Sequence, residues 1–133
     1  MASCDVLVIG AGPGGGSAAL HASRAGLKTM IVEADSQVGV PVHCGECLSQ
    51  MAIDNLDLEL PEEVIALDCK GIRVIFPDGT AKLLTEKGYV LEKHKFEQWL
   101  CGEAVEKGAT LHLSHRVTSM ERIYNSENKF INW

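Results

Sequence analysis

Two short stretches hold residues that could do chemistry. The first is Gly10-Ala11-Gly12-Pro13-Gly14-Gly15, where Gly10, Gly12 and Gly15 keep the G-x-G-x-x-G spacing. In that spacing the first glycine allows a tight turn, the second lets backbone approach a pyrophosphate, and the third lets a helix pack closely on a strand. Glu33 follows at the distance where such units carry an acid for a ribose 2′-hydroxyl. Its charge would repel a 2′-phosphate, which favours FAD or NAD over NADP without separating FAD from NAD. Gly14 in the turn and Ala34 beside the acid join the candidate cofactor-binding set. The second stretch is His43-Cys44-Gly45-Glu46-Cys47. Its C-x-x-C could be a redox dithiol or half of a zinc site. Zinc needs a second ligand pair, and His112 and His115 lie far downstream in a strand-like segment with poor spacing, so no metal is assigned. A thioredoxin-type dithiol would open a helix in a different βαβ context.

The elements that must position these residues can be read from hydrophobic pattern and punctuation. Asp5 to Ile9 is a continuous β-branched run, expected as a strand buried on both faces. Pro13 suits a first helical turn, and the helix should run to about Ala25, thinned on its sheet side by Ala18, Ala19 and Ala22. Gly26 should stop it, and Leu27 to Val32 should form a second parallel strand ending at Glu33. Strand, glycine turn, helix and strand are the parts of a dinucleotide-binding βαβ unit.

Residues 34–48 show no helical or strand period. Ser49 to Leu60 reads as a short amphipathic helix and loop, with Met51, Ile53, Leu56, Leu58 and Leu60 as core, and Pro61-Glu62-Glu63 restarts the chain. Lys70 to Phe76 and Thr80 to Leu84 should pair as a hairpin across Pro77-Asp78-Gly79. Gly88 to Lys93 leads to a helix over about His94 to Lys107, buried through Phe96, Leu100, Ala104 and Val105 and ended by Gly108. Thr110 to Leu113 should be a third parallel strand, and Val117 to Ile123 a further one. This assigns 1–123 to the dinucleotide-binding domain and leaves 124–133 as a polar tail.

Composition bounds the class. The 133 residues suffice for one domain with one core. The net charge of −6, with no basic cluster, argues against nucleic acid as a partner. No apolar run approaches the roughly 18 residues of a membrane span. With Asp5 ahead of the first apolar run and no basic n-region, this N-terminal stretch is not expected to be a signal peptide. Five cysteines without a secretion signal read as mostly reduced, and the expected location is cytoplasmic, with contact to a membrane face left open.

A longer pattern is more discriminating. The GxGPxG turn is followed by Ile31-Val32-Glu33, and then by Val38-Gly39-Val40-Pro41-Val42-His43-Cys44-Gly45-Glu46 with Leu48-Ser49 after it. Together these resemble the geranylgeranyl reductase family, above all its archaeal digeranylgeranylglycerophospholipid reductases. These are FAD-dependent enzymes of the para-hydroxybenzoate hydroxylase superfamily that saturate isoprenoid double bonds in membrane lipids. The resemblance covers Asp5 to about Ile123. It implies an α/β fold: a Rossmann-like FAD-binding domain with a parallel sheet and an inserted β-meander or hairpin, incomplete at its C-terminus. FAD is the implied cofactor, a prenyl lipid the substrate, and NAD(P)H or ferredoxin the external electron donor. Cys44 would be the side chain closest to the flavin, with His43 and Glu46 as further proton-donor candidates and Gly45 and Cys47 beside them. Cys47 departs from the family, which usually has Gly there; a side chain would crowd the flavin or add a second thiol. Lys93 stands where the family places an Arg (R-x-x-F-D), keeping the cation and losing the planar fork. The backbone near Val117 would lie against the adenine.

The resembled enzymes are much longer, so the chain is expected to be a fragment or a truncated relative, holding the ADP half of FAD. Two rival readings are a flavin monooxygenase-type oxidoreductase of the same superfamily and a non-catalytic, stand-alone dinucleotide-binding module.

Overall fold

A computed structural model of the chain describes residues 3–42 and 44–133. Strand β1 (Val6–Ile9) enters the glycine turn, and helix α1 (Pro13–Arg24) leaves it with Pro13 in its first turn. Gly26, at φ +79°, ends α1, because a left-handed residue there turns the chain away from the helix axis. Strand β2 (Thr29–Val32) returns parallel to β1, in register from Val6 opposite Thr29 to Ile9 opposite Val32.

Strand β3 (Cys47–Ser49) follows a long loop, and Ser49 caps helix α2 (Gln50–Asn55) by accepting from the Ala52 N–H at 3.2 Å. A 3₁₀ turn (Glu62–Val64) leads into β4 (Ile65–Cys69). Strands β5 (Ile72–Ile75) and β6 (Ala81–Leu84) form a separate antiparallel hairpin, closed by Gly79 at φ +84° and by the Asp78 carboxylate accepting from Thr80. Strand β7 (Gly88–Leu91) is the centre of an antiparallel sheet ordered β3-β7-β4. Helix α3 (Lys93–Glu106) leads to β8 (Thr110–His112), which pairs parallel with β2. The chain closes on a small hairpin of β9 (Ile123–Tyr124) and β10 (Phe130–Asn132). Among the described residues no helix is long and apolar enough to cross a membrane.

The parallel sheet, ordered β1-β2-β8, carries α1 and α3 packed against each other on one side. The core sits there: Ala19 and Leu20 of α1, Ile31 of β2, and Phe96, Leu100, Cys101 and Ala104 of α3. The expected α/β architecture with its inserted antiparallel strands is therefore present.

Several local expectations need correction. Strand β1 is an edge strand and is not buried on both faces: Leu7 is 45% and Ile9 50% exposed. Continuous β-branched sequence suits a doubly covered strand, but only Val8 and partly buried Val6 are covered here. Met51 projects from the outer side of α2, while Ile53 and Leu58 are buried. Val105 points to solvent and Glu97 takes a place on the buried side of α3. The segment 117–122 is not a strand; pairing begins only at Ile123. Strands β3 and β4 were hidden by their lack of alternation, because both are held by pairing to β7 and not by a two-faced apolar pattern.

Candidate cofactor site

The glycine turn is shaped by two close approaches. Gly10, at φ +96°, donates its N–H to the Val32 carbonyl at 2.8 Å, a backbone shape that side-chain-bearing residues rarely take. A Cβ on Gly15 would lie 1.9 Å from the Gly10 carbonyl oxygen and 3.2 Å from Val8 Cγ1, so only glycine lets α1 start this near β1. Gly12 differs. Its backbone is extended, and a Cβ there would meet only Glu97 Oε1, at 4.0 Å. Gly14 faces open space. Among the described residues no side chain caps the α1 N-terminus, so its first-turn N–H groups have no side-chain acceptor there. Donors at a helix N-terminus, with small residues in front of them, suit a phosphate.

Glu33 faces this turn from the end of β2. Its Oε2 accepts from the Ala11 N–H at 2.6 Å and its Oε1 from the Asp35 N–H at 2.9 Å. Each carboxylate oxygen keeps a further lone pair for a ligand hydroxyl. Burial alone would raise the Glu33 pKa. The N–H groups of Ala11, Asp35 and Ala34, with the Arg116 charge, outweigh it and hold the carboxyl below its ordinary value. The backbone is locked too: Glu33 N–H donates to the His112 carbonyl, and His115 N–H donates to the Glu33 carbonyl.

Helix α3 closes the site from the other side. Its first residue, Lys93, is ion-paired with Glu97. Gln98 Nε2 donates to the Val38 carbonyl at 3.0 Å, and the Cys101 thiol donates to the Ala11 carbonyl at 3.5 Å. The result is a cavity of about 240 Å³ lined by Gly12, Glu33, Asp35, Gly39, Val40, Pro41, Lys93 and Glu97. The opening carries a glycine turn with helical donors, three carboxylates (Glu33, Asp35 and Glu97) and one cation (Lys93), and of these the turn, Glu33 and Lys93 fit the pyrophosphate and ribose of a dinucleotide.

The expected residues are thus partly united. Gly12, Glu33 and Lys93 share the cavity; Gly10 and Gly15 shape the turn beneath it. Ala34 lends its N–H to Glu33. Cys44, Gly45 and Glu46 lie on the loop between Pro41, at the cavity, and β3; Cys44 and Gly45 are exposed, and Glu46 takes a positive φ of 63°. His43 lies outside the described residues. Cys47 faces elsewhere: its thiol donates to the Gly45 carbonyl at 3.3 Å, and it lines a separate apolar cavity of about 260 Å³ with Cys69, Ile72 and Tyr89. Val117 is half-buried after β8. Asp35 was not picked out from sequence, and Glu97, the acid that stands at the last position of the R-x-x-F-D pattern, was given no role. A glutamate on an amphipathic helix is counted as solvent-facing by default, although the Lys93–Glu97 spacing of four was visible.

All five cysteines are free thiols. Burial, with the nearby charges of Glu97 and Glu33, pushes the Cys101 thiol up to about 11. The exposed Cys44 and Cys47 should react with a maleimide within minutes at neutral pH, while Cys101 should react only after unfolding. Mass spectrometry of the labelled native chain checks this, and early labelling of Cys101 would contradict its burial. A raised thiol pKa also has a sign for stability. The protonated thiol favours the folded state fully below pH 9.0, and that contribution is lost as pH rises toward about 11.

A family model described as FAD dependent oxidoreductase matches residues 5–130. Among curated proteins, the digeranylgeranylglycerophospholipid reductase of Thermoplasma acidophilum is 39% identical over 116 residues, covering 82% of this chain and 29% of that protein. The digeranylgeranylglycerophospholipid reductase of Methanococcus vannielii is 32% identical over 133 residues, covering 98% of this chain and 34% of that protein. The chain therefore spans about a third or less of the length of these relatives. Among solved structures, a geranylgeranyl bacteriochlorophyll reductase-like protein from Thermoplasma acidophilum superposes with a TM-score of 0.78 at 38% identity, over 84% of this chain and 30% of that one. A flavin-dependent brominase superposes with a TM-score of 0.71 at 24% identity, over 93% of this chain and 32% of that one, a likeness of fold alone.

Proposed function

The chain belongs to the FAD-dependent oxidoreductase family, and we propose that it holds the ADP end of FAD for the reduction of isoprenoid double bonds in membrane lipids. The observation that carries this is the open glycine turn facing Glu33 and Lys93 across one cavity. Gly12 and Gly14 leave room for the pyrophosphate against the α1 N-terminus, with Gly10 and Gly15 holding the turn. Glu33 takes the ribose hydroxyls on its free lone pairs, beside Ala34. Lys93 presents an ammonium to phosphate or ribose oxygen. Val117 lies toward the adenine. The loop leaving the cavity at Pro41 carries Cys44, Gly45 and Glu46 toward the flavin ring, and Cys47 ends it. Bound FAD supplies the hydride chemistry. An unactivated alkene also needs a proton, and Cys44, His43 and Glu46 are this chain's donors for it. The relatives' names support a prenyl lipid as substrate; an external donor, NAD(P)H or ferredoxin, would reduce the flavin, and the lipid would be met at a membrane face from the cytoplasm.

The test starts with the purified chain. It should carry flavin absorbance or take up added FAD, and a protein that binds NAD but not FAD would overturn the proposal. This chain alone is not expected to turn over; in a protein that carries it together with the rest of its relatives' length, reduced FAD and a prenyl phospholipid should give two hydrogens gained per double bond by mass spectrometry. Hydroxylation of an aromatic substrate in place of that gain would assign the chain to monooxygenase chemistry.

Glu33→Gln should weaken FAD binding by about 1–2 kcal/mol, the scale of a charge-assisted hydrogen bond. It should also lower stability at neutral pH. Because the folded Glu33 pKa lies below the ordinary value of 4.5, its contribution is complete above pH 4.5 and fades as pH falls through the folded value. Wild type and variant should therefore converge in urea midpoint at low pH. A difference independent of pH would assign the loss to packing.

A further inference from the structure

Glu97 is the one charged side chain among the described residues that the fold buries, at 5% exposure. It lies where a carboxylate is least welcome. Gly12 of the phosphate turn is in front of it, and the proposed pyrophosphate position is anionic. Its ion-pair partner is Lys93, one helical turn away. The pair is poorly placed to serve the helix. Lys93, His94 and Lys95 put three basic residues in the first turn of α3, where the helix dipole disfavours cations. The order Lys then Glu is also the weaker orientation for an i, i+4 pair. The pair does serve the cavity: both side chains line it, and an ammonium with one N–H on Glu97 has two left to donate.

The surroundings hold Glu97 still. Gly39, at φ +76°, packs so closely that a Cβ would lie 2.6 Å from Glu97 Oε2 and 2.8 Å from His94 Cα. The Gln98–Val38 hydrogen bond pins the same loop to the next turn of α3. Glu97 thus sits in a slot made by two glycines, with Cys101 below it on the same helix.

We infer that Glu97 is a positioning residue: it aims the Lys93 ammonium at the phosphate or ribose oxygen bound over Gly12. It restores to a flexible lysine the fixed direction that a guanidinium has by its own planarity. The inference rests on the proposal that this cavity takes the ADP end of FAD.

The test is a double-mutant cycle on ADP and FAD affinity, read by calorimetry, with far-UV circular dichroism and thermal midpoints alongside. The four proteins are wild type, Glu97→Gln, Lys93→Met and Lys93→Met/Glu97→Gln. Glu97→Gln alone should weaken binding about tenfold, the scale of one charge-assisted hydrogen bond. In the Lys93→Met background the same change should strengthen binding, because it removes an unpaired anion facing the phosphate. Lys93→Arg/Glu97→Gln should recover most of the affinity. A loss of similar size in both backgrounds would make Glu97 structural and overturn the inference. A gain from Glu97→Gln alone would also overturn it, showing that the carboxylate masks Lys93. If Glu97→Gln does not fold, Glu97→Asp replaces it, being too short to hold Lys93. Failure of both to fold while Lys93→Met folds would again assign a structural role. If wild type binds neither ADP nor FAD, the proposed function falls first and the inference falls with it. Binding by wild type with additive losses sinks the inference alone.

Discussion

Replacing Gly12 by valine should abolish FAD and ADP binding and leave the fold in place. The Gly12 backbone is extended, which any residue can adopt, and its Cβ would meet only Glu97, at 4.0 Å. The protein itself therefore does not need glycine at this position. The ligand does, because a branched side chain would fill the space in front of the α1 N-terminus where a pyrophosphate must approach. The expected loss is more than about 100-fold in affinity, on the order of 3 kcal/mol. The thermal midpoint without ligand should move by only a few degrees, since surface changes of this kind stay small. Calorimetric titration with ADP, with a melting curve on the same sample, checks both halves. Retained affinity would place the phosphate elsewhere. Lost affinity with lost folding would mean that Gly12 is structural after all.

Gly15→Ala should do the opposite. A Cβ at Gly15 would stand 1.9 Å from the Gly10 carbonyl oxygen, a backbone atom that the Gly10–Val32 hydrogen bond holds in place. Relief requires α1 to move off β1, which would open the core at Val8, Ala19 and Leu20. Overpacking against rigid backbone of this kind costs about 3 kcal/mol or more. That is a large share of what a domain this size possesses. Urea unfolding should show a much lower midpoint, or no cooperative transition, without any ligand present. An unchanged midpoint would mean that the helix can pack farther out at no penalty. The two glycines belong to one motif, yet one variant should fold and fail to bind, and the other should fail before binding can be measured.

The βαβ unit was legible because its signals are local. The turn spacing, Pro13, Gly26 and Glu33 all act within a few residues of the element they define. The family resemblance extended this to FAD. The burial of β1 was misread for a physical reason: sequence reports how apolar a strand is, and whether a neighbour covers it is a tertiary fact. Leu7 and Ile9 have the residue types of a covered strand, but they lie on the sheet face opposite α1 and α3, which no described helix covers. Strands β3 and β4 escaped because β7 recruits them by backbone pairing, which leaves little trace in side-chain pattern. Glu97 was visible as the acid of the R-x-x-F-D pattern, but its burial was not, because its neighbours come from three separate segments: the glycine turn, the Gly39 loop and its own helix. Its importance exists only once those are brought together. Cys47 was grouped with Cys44 by spacing, yet its thiol turns to the Gly45 carbonyl and a cavity shared with Cys69.

The sheet order β1-β2-β8 sets a clock as well as a shape. Strand β2 is hydrogen-bonded on both sides and contains fully buried Ile31, so its amide protons can meet solvent only when the sheet comes apart. In heavy water the amides of Met30, Ile31 and Val32 should be the last to lose their protons, at the rate of global unfolding. The β5–β6 hairpin pairs with no third strand among the described residues, and a two-stranded ribbon is marginal in water. Its amides should exchange orders of magnitude sooner. The molecule would then keep two times: a slow one in the strand that delivers Glu33 to the site, and a fast one in a hairpin that no third described strand joins.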